Sequence, residues 1–454
     1  MEKNLNQLKT ESIGKLLLQY AIPSIIGLLV TALYMVVDRM FIGNIKDVGT
    51  ATLSALGATI PVSNIIMAFS GMIAVGVATN ISLKLGQKKK EDAQFLLGNA
   101  ITLSVVISIL LSIVGLIFID ELLLTFGASK ATLVHAKPYL RIILGGCVFG
   151  FLALTLSSTV RVDGSPKIST GIMLVGCIMN IFLDWLFIFP LGWGIKGAAI
   201  ATLISQATSV TLGFIYHASK RANLKVIKTH FKLKAEYVKT IVTIGLTPFI
   251  IHMSISATQA TNNIFLKMHG QDLAIAAMTV IGSIGPLLLM PIFGLNQGMQ
   301  PIVGYNYGAK MYGRTRDTYS LASFIGICYM LIATALVLFF AKELVSIFNK
   351  DPNLVALASR GLREYAFMGP LYAFNIIAAT FILSVGKAKE AMFLSITRLA
   401  LFTIPFIIFL SSLIGVDGVW LAEPAAAMVS AFFTAIILRK ELKHQKSKML
   451  ITLR

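Results

Sequence analysis

Three carboxylates, Asp38, Asp184 and Glu423, lie inside stretches of sequence that are otherwise apolar. An ionised Asp at the centre of a membrane helix costs about 2.5–3.5 kcal/mol on insertion scales, so acids in such places mark function by default. Asn180 precedes Asp184 by one helical turn and shares its face; Thr202 and Gln206 repeat that spacing in the next apolar stretch. At ~1.5 Å rise per residue, Asp184 falls about 24 Å into its helix and Thr202 about 8 Å into one running the other way. Asp38, near the far end of the first stretch, and Tyr139, at the start of the fourth, belong to the same layer. Two carboxylates with amide and hydroxyl oxygens can hold Na⁺, by extension from the oxygen preference of other hard cations. The same pair can carry H⁺, because desolvation and a neighbouring like charge raise a carboxylate pKa. The blander alternatives are that Asp38 caps an interfacial helix end and Asp184 is hydrogen-bonded glue. Glu423 lies near a helix start, where a carboxylate also complements the helix dipole.

Other polar groups are less specific. Arg398 sits within an apolar stretch and needs a partner, either Glu423 on the next helix or backbone carbonyls. Pro23, one turn before Gly27, is expected to kink the first helix. Tyr34, Met35, Met253, Asn263 and Phe293, together with Arg398 and Glu423, are candidates for lining a lipophilic substrate cavity, since Met suits promiscuous surfaces, although the same spacing serves plain packing. The histidines are scattered, and no HExxH motif, nucleophile elbow or phosphate loop is present, so the chain does not read as an enzyme. No cofactor is expected; H⁺ or Na⁺ is the expected coupling ion.

The elements that must position these groups are membrane helices. The chain is 56% hydrophobic and 13% charged, with a mean hydropathy of +0.81, against about 25% charged residues in a soluble domain. Its apolar blocks reach the ~20 residues needed to cross a bilayer. Helices are predicted at Ile13–Ile42, Leu53–Leu83, Ala93–Ile119, Tyr139–Thr159, Ile168–Pro190, Gly197–Ser219, Thr240–Leu266, Ala274–Tyr305, Thr318–Phe340, Leu357–Ser384, Ala391–Ile414 and Gly418–Leu438. The net charge of +19 is concentrated in alternate loops, as the positive-inside rule requires, and not in a nucleic-acid patch. Both termini are therefore expected in the cytoplasm of a cell-membrane protein, a monomer embedded in lipid bilayer. The predicted division is an N-lobe over 1–219, a solvated basic linker over 220–239, a C-lobe over 240–440 and a basic tail over 441–454.

The two halves echo each other at an offset of roughly 220 to 225 residues. Gly76 and Gly86 match Gly298 and Gly308, the turn at Gly164 matches that at Gly386, and Gly194 matches Gly415. Six helices per half insert in one orientation, giving parallel repeats as transporters use. Two such bundles suit alternating access, where a channel would not need two matched lobes. Asn263 and Pro405 stand opposite Asp38 and Asp184, so ion coupling is expected in the first half.

The run Arg161-Val-Asp-Gly-Ser-Pro-Lys167, then Asn180-Ile-Phe-Leu-Asp184, then Gly194-Ile-Lys-Gly-Ala-Ala-Ile-Ala-Thr202 resembles the MATE (multidrug and toxic compound extrusion) family, as does Ala21-Ile-Pro-Ser followed by Asp38-Arg-Met-Phe-Ile-Gly43. The resemblance covers the whole chain and is nearest the prokaryotic branches. It implies an all-α fold of twelve helices in two six-helix lobes around a V-shaped cavity, and export of cationic, amphipathic compounds against H⁺ or Na⁺. It implies a cation site at Asp38, Asn180, Asp184 and Thr202, supported by Tyr139 and by Asp163 in the following turn. Ser256 replaces the acid of a second-lobe Na⁺ site. A lipid-linked oligosaccharide flippase of related layout is the alternative; it would need several cavity cations, and Arg141 and Arg398 are few.

Overall fold

In the computed structural model, residues 7–43, 49–126, 130–347 and 352–452 are described, apart from the side chains of 31–40, 49–58 and a few others. The elements are α1 (Ile13–Gly43), α2 (Gly49–Gly86), α3 (Lys90–Ile117), α4 (Ile119–Thr125), α5 (Lys130–Gly145), α6 (Cys147–Val162), α7 (Pro166–Ile188), α8 (Gly194–Ala218), α9 (Ala235–Gly308), α10 (Tyr312–Ser346), α11 (Pro352–Ala366), α12 (Gly369–Ser384), α13 (Ala388–Ile396), α14 (Thr403–Ile414) and α15 (Val416–Thr452). A 3₁₀ turn spans Lys228–Phe231 and a π-helical turn Thr397–Leu401. No strand occurs among the described residues. Among the described residues, ten helical stretches are long and apolar enough to cross a membrane, and two bent pairs bring the number to twelve.

Several predicted boundaries move. The fourth and tenth spans begin earlier and are broken, α5 and α6 meeting at 51° and α11 and α12 at 47°. The seventh and eighth spans both lie within α9, as the membrane stretches Ala235–Leu266 and Val280–Gly308. The predicted tail from 441 is helical to Thr452, with Glu441 and Gln445 buried. The interval 220–239 is not a purely solvated linker. Asn99 of α3 accepts from the Lys234 N–H at 2.8 Å and donates to the His230 carbonyl at 3.2 Å, while His230 stacks 3.8 Å from Phe95. Backbone polar groups in this interval thereby find partners that α3 supplies.

The repeat is written into turn geometry. Lys88 and Lys310 have φ of 61° and 60°, and Gly164 and Gly386 have φ of 93° and 86°. Each is the left-handed residue of the same C-terminal motif. Lys89 N–H reaches the Lys84 carbonyl at 2.9 Å and Met311 N–H reaches Asn306 at 2.8 Å; Ser165 reaches Val160 at 3.2 Å and Lys387 reaches Ile382 at 3.1 Å. These bonds satisfy carbonyls that a helix end leaves open.

Two compact units result, Met1–Thr10 with Ile26–Phe249, and Glu11–Ile25 with Ile250–Arg454. In the first unit α2 packs on the start of α9. A Cβ at Gly76 would lie 2.2 Å from the Ile241 carbonyl oxygen, one at Gly245 2.0 Å from that of Met72, and Asn80 donates to the Thr240 carbonyl at 3.1 Å. In the second unit, Gly298 and Gly294 of α9 admit Ala21 and Ile25 of α1 in the same way, at 2.6 and 2.4 Å. Small residues let membrane helices approach to backbone contact. The start of α1 thus packs with the second half of the chain and the start of α9 with the first.

Candidate functional site

The candidate ion layer rests on α7. Asp184 is fully buried and Asn180, one turn earlier on the same face, is 2% exposed. Neither amide atom of Asn180 has a hydrogen-bond partner among the described residues. A buried, unpaired amide is costly, so its persistence calls for an explanation such as an ion.

Packing brings the other elements to this point. Ile42 of α1, Ile188 of α7 and Ala198 of α8 form one buried cluster, with Phe41 and Tyr139 packed against it. Ile42, Ile188 and Ala198 lie four residues from Asp38, Asp184 and Thr202 in sequence, so α1, α5, α7 and α8 meet near that end of the unit. Gly27 lets α1 close on α7, a Cβ there meeting the Met173 methyl at 2.7 Å. Gly176 does the same between α7 and α8, at 2.5 Å from Ser209 Oγ. Thr202 donates its hydroxyl to the Ala198 carbonyl at 3.0 Å, which leaves the oxygen lone pairs available. Gln206 packs on Gly150 of α6. The side chains of Asp38, Tyr34 and Met35 lie outside the described residues; α1, which carries them, is continuous through Pro23.

Carboxylate, amide and hydroxyl oxygens are the ligand types a small hard cation takes, and Asp184, Asn180 and Thr202 carry one of each. A proton needs only the carboxylate.

Asp163 lies in the turn between α6 and α7 and is fully buried. Its carboxylate accepts from the Tyr216 hydroxyl at 2.8 Å and from the backbone N–H groups of Asn223 and Leu224 at 2.9 and 3.1 Å. Burial raises its pKa from 3.8 to about 7, against these donors, which favour the ionised form. Beside it, His217 is held between Thr159 Oγ and the Leu224 carbonyl, each at 3.0 Å. Sequence reading missed Tyr216, Asn223 and His217. The only available signal was a Tyr-His pair followed by Asn where an apolar helix gives way to a basic segment.

In the second unit, Tyr365, which sequence reading did not single out, packs against the cluster that holds Ala422 next to Glu423, and the charge of Arg398 acts on Glu423. Met253, Phe293 and Asn263 are all exposed, and Asn262, the neighbour of Asn263, is the buried amide. Asn296 is buried with both amide atoms unpaired among the described residues.

The MatE family model matches residues 23–186 and 248–409, one match in each half. The chain is 28% identical to the multidrug export protein MepA of Staphylococcus haemolyticus (strain JCSC1435) and 26% identical to MepA of Staphylococcus aureus (strain MSSA476), over 99% of both chains in each case. Its fold is similar to that of a MATE protein crystallised in the bent conformation, with TM-score 0.92 and 24% identity over 98% of both chains. It is also similar to a MOP superfamily transporter from Pyrococcus furiosus, with TM-score 0.91 and 24% identity over 97% of this chain and 98% of the other. With both halves matched and the length fully covered, this multi-pass membrane protein belongs to the MATE family of transporters and is not an enzyme.

Proposed function

We propose that this protein exports cationic, amphipathic small molecules by alternating access, in exchange for H⁺ or Na⁺ bound at the Asp38–Asn180–Asp184–Thr202 layer. The observation that carries this reading is the buried Asn180–Asp184 face, with an amide that lacks a hydrogen-bond partner among the described residues. The full-length likeness to proteins named for multidrug export supports the substrate class. Basic loops on alternate sides support an orientation with both termini in the cytoplasm.

The coupling ion enters from outside and favours the state that releases substrate outward. Coupling requires the ion to bind the two states with different affinity. One charge moving through 100 mV supplies ~2.3 kcal/mol, which sustains a substrate gradient of a little under about 50-fold at ~1.4 kcal/mol per decade.

The test is efflux of a fluorescent organic cation from proteoliposomes with proton and sodium gradients imposed separately. One gradient should drive efflux, and Asp184→Asn and Asp38→Asn should each abolish the driven component while the protein remains folded. Full driven efflux in both variants would remove the layer from the mechanism.

A further inference from the structure

The second unit carries charged groups that the ion layer does not use. Tyr365 of α11 packs against the buried cluster that holds Val419, Trp420 and Ala422 of α15, next to Glu423, and Thr397 Oγ1, beside Arg398, lies 3.2 Å from Ser430 Oγ of α15. The Tyr372 ring stands 6.4 Å from that of Tyr365 at an interplanar angle of 42°, and its hydroxyl reaches the Tyr365 carbonyl at 3.4 Å. Arg398, in the π-helical turn, acts through its charge on Glu423 and on both phenols. It nevertheless closes no ion pair with Glu423 among the described residues. Glu423, Arg398 and Tyr365 all keep partial exposure.

Two backbone irregularities coincide here. The π turn bonds the Phe402 N–H to the Thr397 carbonyl at 3.2 Å, and the carbonyls it loosens are met by hydroxyls, Thr403 on Arg398 at 2.5 Å and Thr258 on Leu399. On α15, Pro424 follows Glu423 and removes a helical hydrogen bond. π turns inserted in α-helices recur at functional sites. At the offset of 221 residues that sets Pro405 opposite Asp184 and Gly415 opposite Gly194, Cys177 and Thr202 stand opposite Arg398 and Glu423, so the first unit has no equivalent charge pair.

We propose that Glu423 receives the positive centre of the exported compound and that Arg398 is the internal cation which the compound displaces. The site takes a lipophilic organic cation. An unpaired carboxylate within a membrane span is costly, and Arg398 compensates it while the site is empty. An incoming ammonium or phosphonium takes over that compensation and meets the faces of Tyr365 and Tyr372, whose ring electrons attract cations. Arg398, being partly exposed and on a loosened turn, moves off towards water. Because Arg398 competes for Glu423, binding stays weak enough for release. This assignment rests on the reading of the protein as a cation exporter.

The test is equilibrium binding of tetraphenylphosphonium to the purified full-length protein in detergent, with ion-driven efflux measured in parallel. Glu423→Gln should weaken binding by roughly tenfold or more and Arg398→Gln should tighten it by about three- to tenfold. The double variant should bind as weakly as Glu423→Gln alone, since Arg398 then has nothing to compete for. If Glu423→Gln does not fold, Arg398→Gln decides alone: tighter binding supports the assignment, while unchanged or weaker binding overturns it. Wild-type protein that transports cations while both single variants bind as it does overturns this assignment and leaves the exporter reading intact. Wild-type protein that neither binds nor transports the probe overturns both.

Discussion

The Tyr216 hydroxyl donates to the Asp163 carboxylate at 2.8 Å although 53 residues separate them. Together with the N–H groups of Asn223 and Leu224, it fastens the α6–α7 turn to the segment that leaves α8. In the second unit the corresponding turn is fastened by a different pair, Lys387 on the turn and Glu441 on α15, at 2.5 Å. Both repeats thus fix the same turn with a buried carboxylate, contributed in one case by the turn and in the other by the last helix.

Asp163 makes the stability of the protein fall as pH rises. Its folded pKa of about 7 lies above the ordinary 3.8 because burial penalises the charged form. The folded state therefore holds a proton that the unfolded state has lost, and this contribution, complete below 3.8, disappears as pH passes through about 7. Between pH 6 and 8 the wild type should lose about 1.4 kcal/mol from this group, and Asp163→Asn should lose none of it. Thermal unfolding followed by the reactivity of buried Cys147 and Cys177 reads the difference. Equal slopes in the two proteins contradict it.

Asn180→Ala removes the orphaned amide but keeps Asp184. If the amide oxygen is an ion ligand, the coupling-ion concentration for half-maximal efflux should rise about tenfold, corresponding to ~1.4 kcal/mol, with the maximal rate retained. A variant with unchanged ion dependence would show that the amide plays no part.

Gly245→Ala and Gly76→Ala force a methyl against a backbone carbonyl at 2.0 and 2.2 Å. Each should cost about 1–3 kcal/mol by overpacking. Gly27→Ala meets only the end of the flexible Met173 side chain and should cost less. Melting temperatures of the three variants should rank accordingly; equal shifts would mean that α2 and α9 can separate freely.

Lys88 and Lys310 occupy left-handed positions that cost an L-residue roughly 1–2 kcal/mol. Lys88→Gly and Lys310→Gly should each raise stability by about 0.5–1 kcal/mol after the added chain entropy of glycine is counted. The double variant should show the sum. Destabilisation by either one would point to a role for the lysine charge beyond the turn.

Glu441→Gln leaves the Lys387 ammonium beside a neutral group. Glu441 is 1% exposed but Lys387 about a third, so the loss should be about 1–3 kcal/mol, less than for a fully buried pair. A double-mutant cycle with Lys387→Met isolates the pair, and a coupling energy near zero argues against it.

The sequence by itself determined that the chain crosses a membrane about twelve times, that its halves are duplicated, and that Asp184 and Asn180 share a buried face. These features are local, since hydropathy over one bilayer thickness, glycine at left-handed turns and a four-residue spacing each act within a single element. Helical rise alone also predicts that Thr202 and Tyr139 lie at the depth of Asp184. Only the tertiary structure decided which groups meet across elements. Asp163 finds its donors on α8 and in the segment after it, and Tyr365 packs against the α15 cluster beside Glu423. The start of α1 packs against α9, more than 250 residues later in the chain, because Gly294 and Gly298 leave room for its backbone. Such contacts depend on shape complementarity between distant helix faces, which no pattern within either helix specifies.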